Sequence, residues 1–167
     1  NTTNTASAEY QAAGDWTGVL FAVQAIGSIL WAVVLPMFRK TKVAYSLSLV
    51  LGAVGFISTY FIHDQYMLFV SFLLIGCAWA AMLALPFAML TNSLSGKSLG
   101  SYMGLFNCTI CLPQIVASLV GGFLLTMFGG DVVDGVQTGQ IVILVVAGVA
   151  LLLAAVAVFG ISTKRHE

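Results

Sequence analysis

The sequence predicts an all-α polytopic membrane protein, a helical bundle of five transmembrane helices. Of its 167 residues, 60% are hydrophobic and only 7% are charged, whereas a soluble domain carries about a quarter charged residues. The apolar residues form long runs separated by short polar breaks, as in proteins that cross a membrane several times. A β-barrel is excluded because its strands alternate in segments of about ten residues.

Five apolar runs are long enough to cross a bilayer. Each has at least 20 residues, and at 1.5 Å per residue this length covers a hydrocarbon core of roughly 30 Å. Buried helices of a large soluble protein are disfavoured, because none of the runs contains Asp, Glu, Lys, Arg or His. We predict an extracytoplasmic segment at 1–15, a cytoplasmic tail at 162–167, and spans at 16–38, 43–62, 67–90, 101–128 and 141–161.

The basic residues predict the topology. Five spans alternate sides, so all six basic residues fall on one side, which the positive-inside rule makes cytoplasmic. The N-terminus is then outside, the C-terminus is cytoplasmic, and a plasma (inner) membrane is expected. Residues 1–15 contain no signal peptide, so we expect an upstream helix and a longer protein. The predicted topology anchors are Arg39, Lys40, Lys42, Lys97, Lys164 and Arg165.

Polar residues follow one side of the fourth span. At 100° per residue, Asn107, Cys111, Gln114 and Ser118 lie within an arc of about 60°. Amide side chains are costly in hydrocarbon, so this face is expected to point toward other helices or a wet cavity. Asn107 and Gln114 are candidate solute-binding residues, because amides offer donors and acceptors to hydroxyl groups. Hydrogen bonding to neighbouring helices is the alternative interpretation.

The first and third spans provide further candidates for solute binding. Gln24 and Trp31 lie within an arc of about 100° that also includes Gly27 and Ser28. A tryptophan beside an amide can stack on the apolar face of a sugar ring. Trp79, near the middle of the third span, is a similar candidate. Ordinary helix packing is the alternative for both tryptophans.

Prolines and small residues mark places where helices bend or approach each other. Pro113 and Pro86 each remove a helical hydrogen bond, so a kink is expected at each. Such a kink either takes part in gating or is a static bend of the helix. The small-residue pairs Ser48/Gly52 and Ala117/Gly121 predict close helix crossings.

No catalytic or metal-binding motif accompanies these features. Cys108 and Cys111 have CxxC spacing, but they lie inside a span without a second ligand pair. We therefore expect no enzyme activity, no cofactor and no metal. The dispersed basic residues give no support for a nucleic-acid partner, so the expected partners are the lipid bilayer and a small solute.

The segment from Pro86 to Gly122 contains three short motifs, Pro86-Phe87-Ala88, Met103-Gly104-Leu105-Phe106-Asn107 and Pro113-Gln114. In these residues it resembles part of the Major Facilitator Superfamily, in particular its glycoside and sucrose–proton symporter branch. The resemblance implies that the chain corresponds to about helices 8–12, in the C-terminal half. The cytoplasmic loop at 37–42 keeps only the basic cluster of the family's loop motif. The resemblance implies alternating-access transport of a sugar or glycoside with a coupling cation.

Energy coupling is not visible in the five spans. A proton symporter needs a titratable group inside the membrane, and the spans contain none. If a proton is the coupling cation, we expect the carboxylate in the missing N-terminal half. The alternative function is a non-transporting membrane subunit or assembly protein, in which the polar residues serve only helix packing.

Overall fold

Five long helices make up the bundle, which confirms the predicted all-α membrane fold. A computed structural model describes residues 8–93, 99–128, 132–133, 136–137 and 139–160. All five helices are long and apolar enough to cross a membrane. A 3₁₀ turn, Leu35–Met37, follows the first helix, and two short antiparallel strands, β1 (Val132–Val133) and β2 (Val136–Gln137), precede the last. The helices are α1 (Ala8–Val34), α2 (Thr41–Phe61), α3 (Leu68–Ser93), α4 (Leu99–Phe128) and α5 (Gly139–Gly160).

The main difference from the predicted bounds is the start of α1. This helix begins at Ala8, eight residues before the predicted span at 16–38, so part of the predicted segment 1–15 is helical. The stretch from Ala8 to Asp15 contains three Ala, one Glu and one Gln, which favour helix without making the stretch strongly apolar. Hydropathy therefore marks the part of α1 that suits the membrane and misses its polar extension. The helix α1 ends at Val34, four residues before the predicted bound at 38, where the 3₁₀ turn follows. Both ends of α2 to α5 lie within three residues of the predicted bounds.

Four helices pack side by side in the order α1, α3, α2, α5. The helix α3 contacts both α1 and α2, and α2 also contacts α5. The helices α1 and α3 run parallel, because Trp16 stacks on Phe69 near one end while Ser28 reaches Gly76 farther along both helices. The helix α2 is antiparallel to α3 and to α5, so it is the shared neighbour at the centre of the layer.

Small residues allow these four helices to approach closely. A Cβ added to Gly27 of α1 would lie 2.5 Å from the Leu73 carbonyl oxygen of α3, closer than real Cβ contacts. A Cβ on Gly52 of α2 would collide with Ala78 of α3, and the neighbouring Ser48 is fully buried. The predicted close crossing at Ser48/Gly52 is therefore confirmed. Small residues at such crossings let the backbones of membrane helices approach closely, and this adds packing contacts.

Serine hydroxyl groups connect α2 to both of its neighbours. The Ser58 and Ser71 hydroxyl oxygens lie 2.8 Å apart between α2 and α3. On the other side of α2, the Ser46 hydroxyl donates to the Ala155 carbonyl of α5 at 3.0 Å. Hydrogen bonds of this kind hold helices together where water cannot supply the partner.

The helix α4 stands apart from this layer. Its helix–helix contacts are few and chiefly with α5, and none of its described side chains is buried. A Cβ on Gly104 or Gly121 would meet nothing within 4 Å. The predicted close crossing at Ala117/Gly121 is therefore wrong for the described residues. Small residues permit a crossing, but a crossing also needs a facing helix.

Candidate functional site

A groove of about 990 Å³ opens among α1, α2, α3 and α5. We call it the central groove. Its volume is at the upper end of the range of small-molecule pockets. Most of its lining is apolar, and its polar side chains are Gln24, Ser28 and Thr59. The other lining residues are Phe21, Ala25, Ile29, Phe56, Phe72, Ile75, Ala78, Trp79, Met82, Leu144, Ala147, Ala150 and Leu151.

Of the three polar side chains that line the groove, that of Gln24 has hydrogen-bonding groups that are not used by the described residues. The Ser28 hydroxyl lies 2.9 Å from the Gly76 carbonyl and 3.1 Å from the Gln24 carbonyl, so its proton is already used. The Thr59 hydroxyl donates to the Phe56 carbonyl at 2.6 Å. The half-buried Gln24 carboxamide has no hydrogen-bond partner among the described residues. Because it offers both donors and an acceptor, it is the group best able to orient a ligand here.

Trp79 lies in the same groove as Gln24. It projects from α3 with half of its surface exposed (50%), so an aromatic face is open to a ligand. Nearby, the Phe21 and Phe72 rings meet edge to face, with centroids 6.1 Å apart. The structure therefore brings together two candidates that the sequence placed on separate spans. Their combination provides one amide and several aromatic surfaces.

Trp31 lies outside the central groove and takes part in helix packing. Its indole N–H donates to the Ser48 hydroxyl of α2 at 2.7 Å. Its ring packs against the buried cluster of Leu35, Ala44 and Ala81. This placement corresponds to the packing alternative for Trp31, and its contact with a solute has no support from the groove's lining.

Asn107 and Gln114 also lie outside the central groove. Both are exposed on α4, and neither side chain has a hydrogen-bond partner among the described residues. On the same arc of the helix, the Ser118 hydroxyl donates to the Gln114 carbonyl at 2.9 Å. The structure thus separates the polar candidates into two sets, Gln24 with Trp79 and Asn107 with Gln114.

The two candidate gating prolines lie within continuous helices. Pro86 is inside α3 and Pro113 is inside α4, and neither ends its helix. Each ring still removes one backbone donor from its helix. Near Pro113, the Thr109 hydroxyl donates to the Phe106 carbonyl at 2.7 Å. A gating role for these positions stays a prediction.

The predicted topology anchors are described only in part. Arg39 and Lys40 are exposed in the connection between α1 and α2, and Lys42 is half-buried at the start of α2. Lys97, Lys164 and Arg165 lie outside the described residues. Because α1 and α3 run parallel, their C-terminal ends lie at the same end of the bundle. Which side of the membrane this end faces stays a prediction.

Several groove residues were not predicted from the sequence. Phe21, Phe56, Phe72 and Thr59 line the groove, yet all four lie in spans where apolar and small polar residues are common. No spacing or charge signal distinguishes them. Helical periodicity gives the neighbours of Gln24 on α1, but the residues that α2, α3 and α5 contribute depend on how the helices pack.

A bundle of five helices, each long and apolar enough to cross a membrane, defines the class of polytopic membrane proteins. Comparison with known protein families then identifies the family within this class. The model of the Major Facilitator Superfamily matches residues 3–167, so the chain belongs to this superfamily of membrane transporters. The superfamily predicted from the sequence is confirmed, and a transport role for a small-molecule solute follows from it. The glycoside and sucrose–proton symporter branch stays a prediction. No solved structure matches the chain.

Proposed function

We propose that the chain forms part of a secondary active transporter that takes up a sugar or glycoside by alternating access, coupled to a cation. The observation that carries the proposal is the uncovered amide face of α4. Asn107 and Gln114 lie on a helix of membrane length, exposed and without partners among the described residues. Amides in hydrocarbon are costly unless they face a wet pathway or a partner helix. A wet pathway for a hydroxylated solute would supply the hydrogen-bond partners that these two amides need.

The central groove supports a glycoside over a free sugar. A hydroxyl group buried without a partner costs roughly 1–3 kcal/mol, and the described groove offers one free amide, that of Gln24. A free sugar would leave several hydroxyl groups unpaired there. The aromatic and aliphatic lining instead suits the apolar part of a glycoside, with the Gln24 amide as its polar contact in the groove.

Coupling to a cation, with a proton as the proposed species, requires residues beyond these spans. The predicted spans contain no Asp, Glu or His, and proton-coupled transporters use such groups within the membrane. The proposal therefore includes a longer chain whose N-terminal half contributes the titratable carboxylate. That half also provides the surface that α4 lacks among the described residues.

The amide face is tested by uptake in the full-length protein. We expect Asn107→Ala and Gln114→Ala each to raise KM for a transported glycoside roughly three- to tenfold, the loss of about one hydrogen bond. Leu112→Ala, at an exposed apolar position of α4, serves as the control and leaves uptake unchanged. Radiolabelled uptake is normalised to the amount of protein at the membrane. Unaltered uptake in both amide variants would remove α4 from the solute pathway.

A second candidate function is a non-transporting membrane subunit. It is favoured by Trp31, which binds Ser48 of the next helix although its sequence position suggested solute contact. On this alternative the amides of α4 bind a helix of a partner protein. Asn107→Ala would then release a co-purifying membrane protein, and reconstituted vesicles would show no uptake for any variant.

A further inference from the structure

We propose that the connection between α1 and α2 binds the phosphate of an anionic phospholipid through Arg39 and Lys40. This site lies apart from the central groove and from α4, and it does not depend on the identity of the solute. The two cations are adjacent in the chain and both are exposed. Among the residues that the structure describes, neither has an ion-pair or hydrogen-bond partner.

The backbone before these cations is held firmly in place. Leu35 is buried (7% exposed) and packs in one cluster with Ala44 of α2 and Ala81 of α3. Pro36 lies within the 3₁₀ turn, where its fixed φ suits the conformation. The Phe38 N–H then donates to the Leu35 carbonyl at 3.2 Å. Arg39 and Lys40 therefore extend from a fixed turn, which lowers the entropy lost when a ligand binds.

Neighbouring apolar residues place the cations at the boundary of the membrane. Met37 is 78% exposed although apolar, so it suits contact with lipid tails. The Phe38 ring lies 6.2 Å from the Trp31 ring, centroid to centroid, and tryptophan is enriched in the interfacial region of membranes. On this proposal the next two residues, Arg39 and Lys40, hold their charged groups at the level of the lipid phosphates.

The charge distribution of the described residues favours an anionic ligand at this end. Asp15 lies near Trp16, whose ring meets Tyr66 with centroids 5.8 Å apart, and Asp64 accepts a bond from the Tyr66 N–H at 2.7 Å. Both carboxylates thus lie at the opposite end of α1 from Arg39. No described acidic side chain competes for the two cations. A guanidinium group binds two phosphate oxygens at once, and the lysine adds a second charge.

A phospholipid fits this position better than a soluble phosphate ion. An exposed lysine or arginine gains about 1 kcal/mol from an anionic membrane surface, and the lipid adds apolar contacts with Met37. A soluble ion would obtain the charge interaction alone, weakened by salt. The ligand chemistry is therefore a phosphodiester joined to acyl chains, with a net negative headgroup.

Native mass spectrometry of the detergent-solubilised protein tests this proposal. The probes are phosphatidylglycerol, zwitterionic phosphatidylcholine with the same acyl chains, and inorganic phosphate. We expect the first phosphatidylglycerol to bind more tightly than phosphatidylcholine. In the double variant Arg39→Gln/Lys40→Gln, its Kd should rise about 25-fold, or roughly fivefold per charge.

A charge-conserving variant is the matched control. Arg39→Lys/Lys40→Arg keeps both charges and should change the phosphatidylglycerol Kd by less than about threefold. Phosphatidylcholine binding should be the same in all three proteins. Circular dichroism before each titration verifies that the helices remain folded. Equal binding of the two lipids, an unchanged Kd in the glutamine variant, or displacement of the lipid by millimolar inorganic phosphate would each overturn the proposal.

Discussion

The four packed helices and α4 share the same kind of sequence but differ in how their glycines are used. A Cβ on Gly27 of α1 or on Gly148 of α5 would meet a neighbouring helix at 2.5 Å or 2.7 Å. On α4, a Cβ at Gly104 or Gly121 would meet nothing within 4 Å. Apolar length makes both groups membrane spans, whereas packing requires a complementary surface. The small and polar residues of α4 are therefore suited to a surface that the described helices do not provide.

Alanine substitutions at Gly27 and Gly104 should have opposite consequences. We expect Gly27→Ala to lower the free energy of unfolding by roughly 1–3 kcal/mol, because the added methyl group forces α1 away from α3. Gly104→Ala should not lower it, because the space is open and alanine favours helix by at most about 1 kcal/mol. Unfolding in mixed micelles, followed by circular dichroism, measures both. Equal destabilisation would show that α4 is packed as tightly as α1.

The hydrogen bond between Trp31 and Ser48 should contribute a smaller amount. A double-mutant cycle with Trp31→Phe and Ser48→Ala is expected to give a coupling energy of about 0.6–1.7 kcal/mol, the range for side-chain bonds between membrane helices. Trp79→Phe paired with Ser48→Ala is the matched control, because Trp79 has no such bond to Ser48. Its coupling energy should be near zero. A coupling no larger for Trp31 than for Trp79 would contradict the packing role.

The smallest expected difference is between two serines. The Ser46 hydroxyl donates across to Ala155 of α5, whereas that of Ser118 donates within α4 to Gln114. We expect Ser46→Ala to cost about 0.6 kcal/mol of unfolding free energy and Ser118→Ala to cost nothing measurable. The same unfolding assay compares them, with each serine acting as the other's control. A larger cost for Ser118→Ala would place α4 within the packed part of the protein.

Much of the fold follows from the sequence because the bilayer imposes a simple length rule. Each helix needs about 20 apolar residues, and the runs supply them within three residues of most observed ends. The start of α1 at Ala8 does not follow from this length rule, because the first turns of α1 are helical through propensity rather than through apolar character. Hydropathy identifies the part of a helix that is apolar enough to lie in lipid, and the helix can extend beyond that part.

The candidate site was harder to predict because it depends on contacts between helices. Gln24 and Trp79 were each recognised as exceptions within an apolar span, but nothing in the sequence places them in one groove. Trp31 shares the helical arc of Gln24, yet it bonds to Ser48 instead of lining the groove. The two residues lie only about 20° apart around the helix but about 10 Å apart along its axis. The same side of α1 therefore faces the groove at Gln24 and packs against α2 at Trp31.

The central position of α2 has a consequence for how the protein is made. Residues 8–93 contain α1, α2 and α3, which pack together, so these three helices can associate once α3 has entered the bilayer, in keeping with N-terminal parts folding first. The face of α2 that packs against α5, which includes Ser46, then lacks this partner while the ribosome adds the 45 residues from 94 to 138. During that interval, lipid or the insertion machinery must shield an already inserted surface until its permanent neighbour arrives.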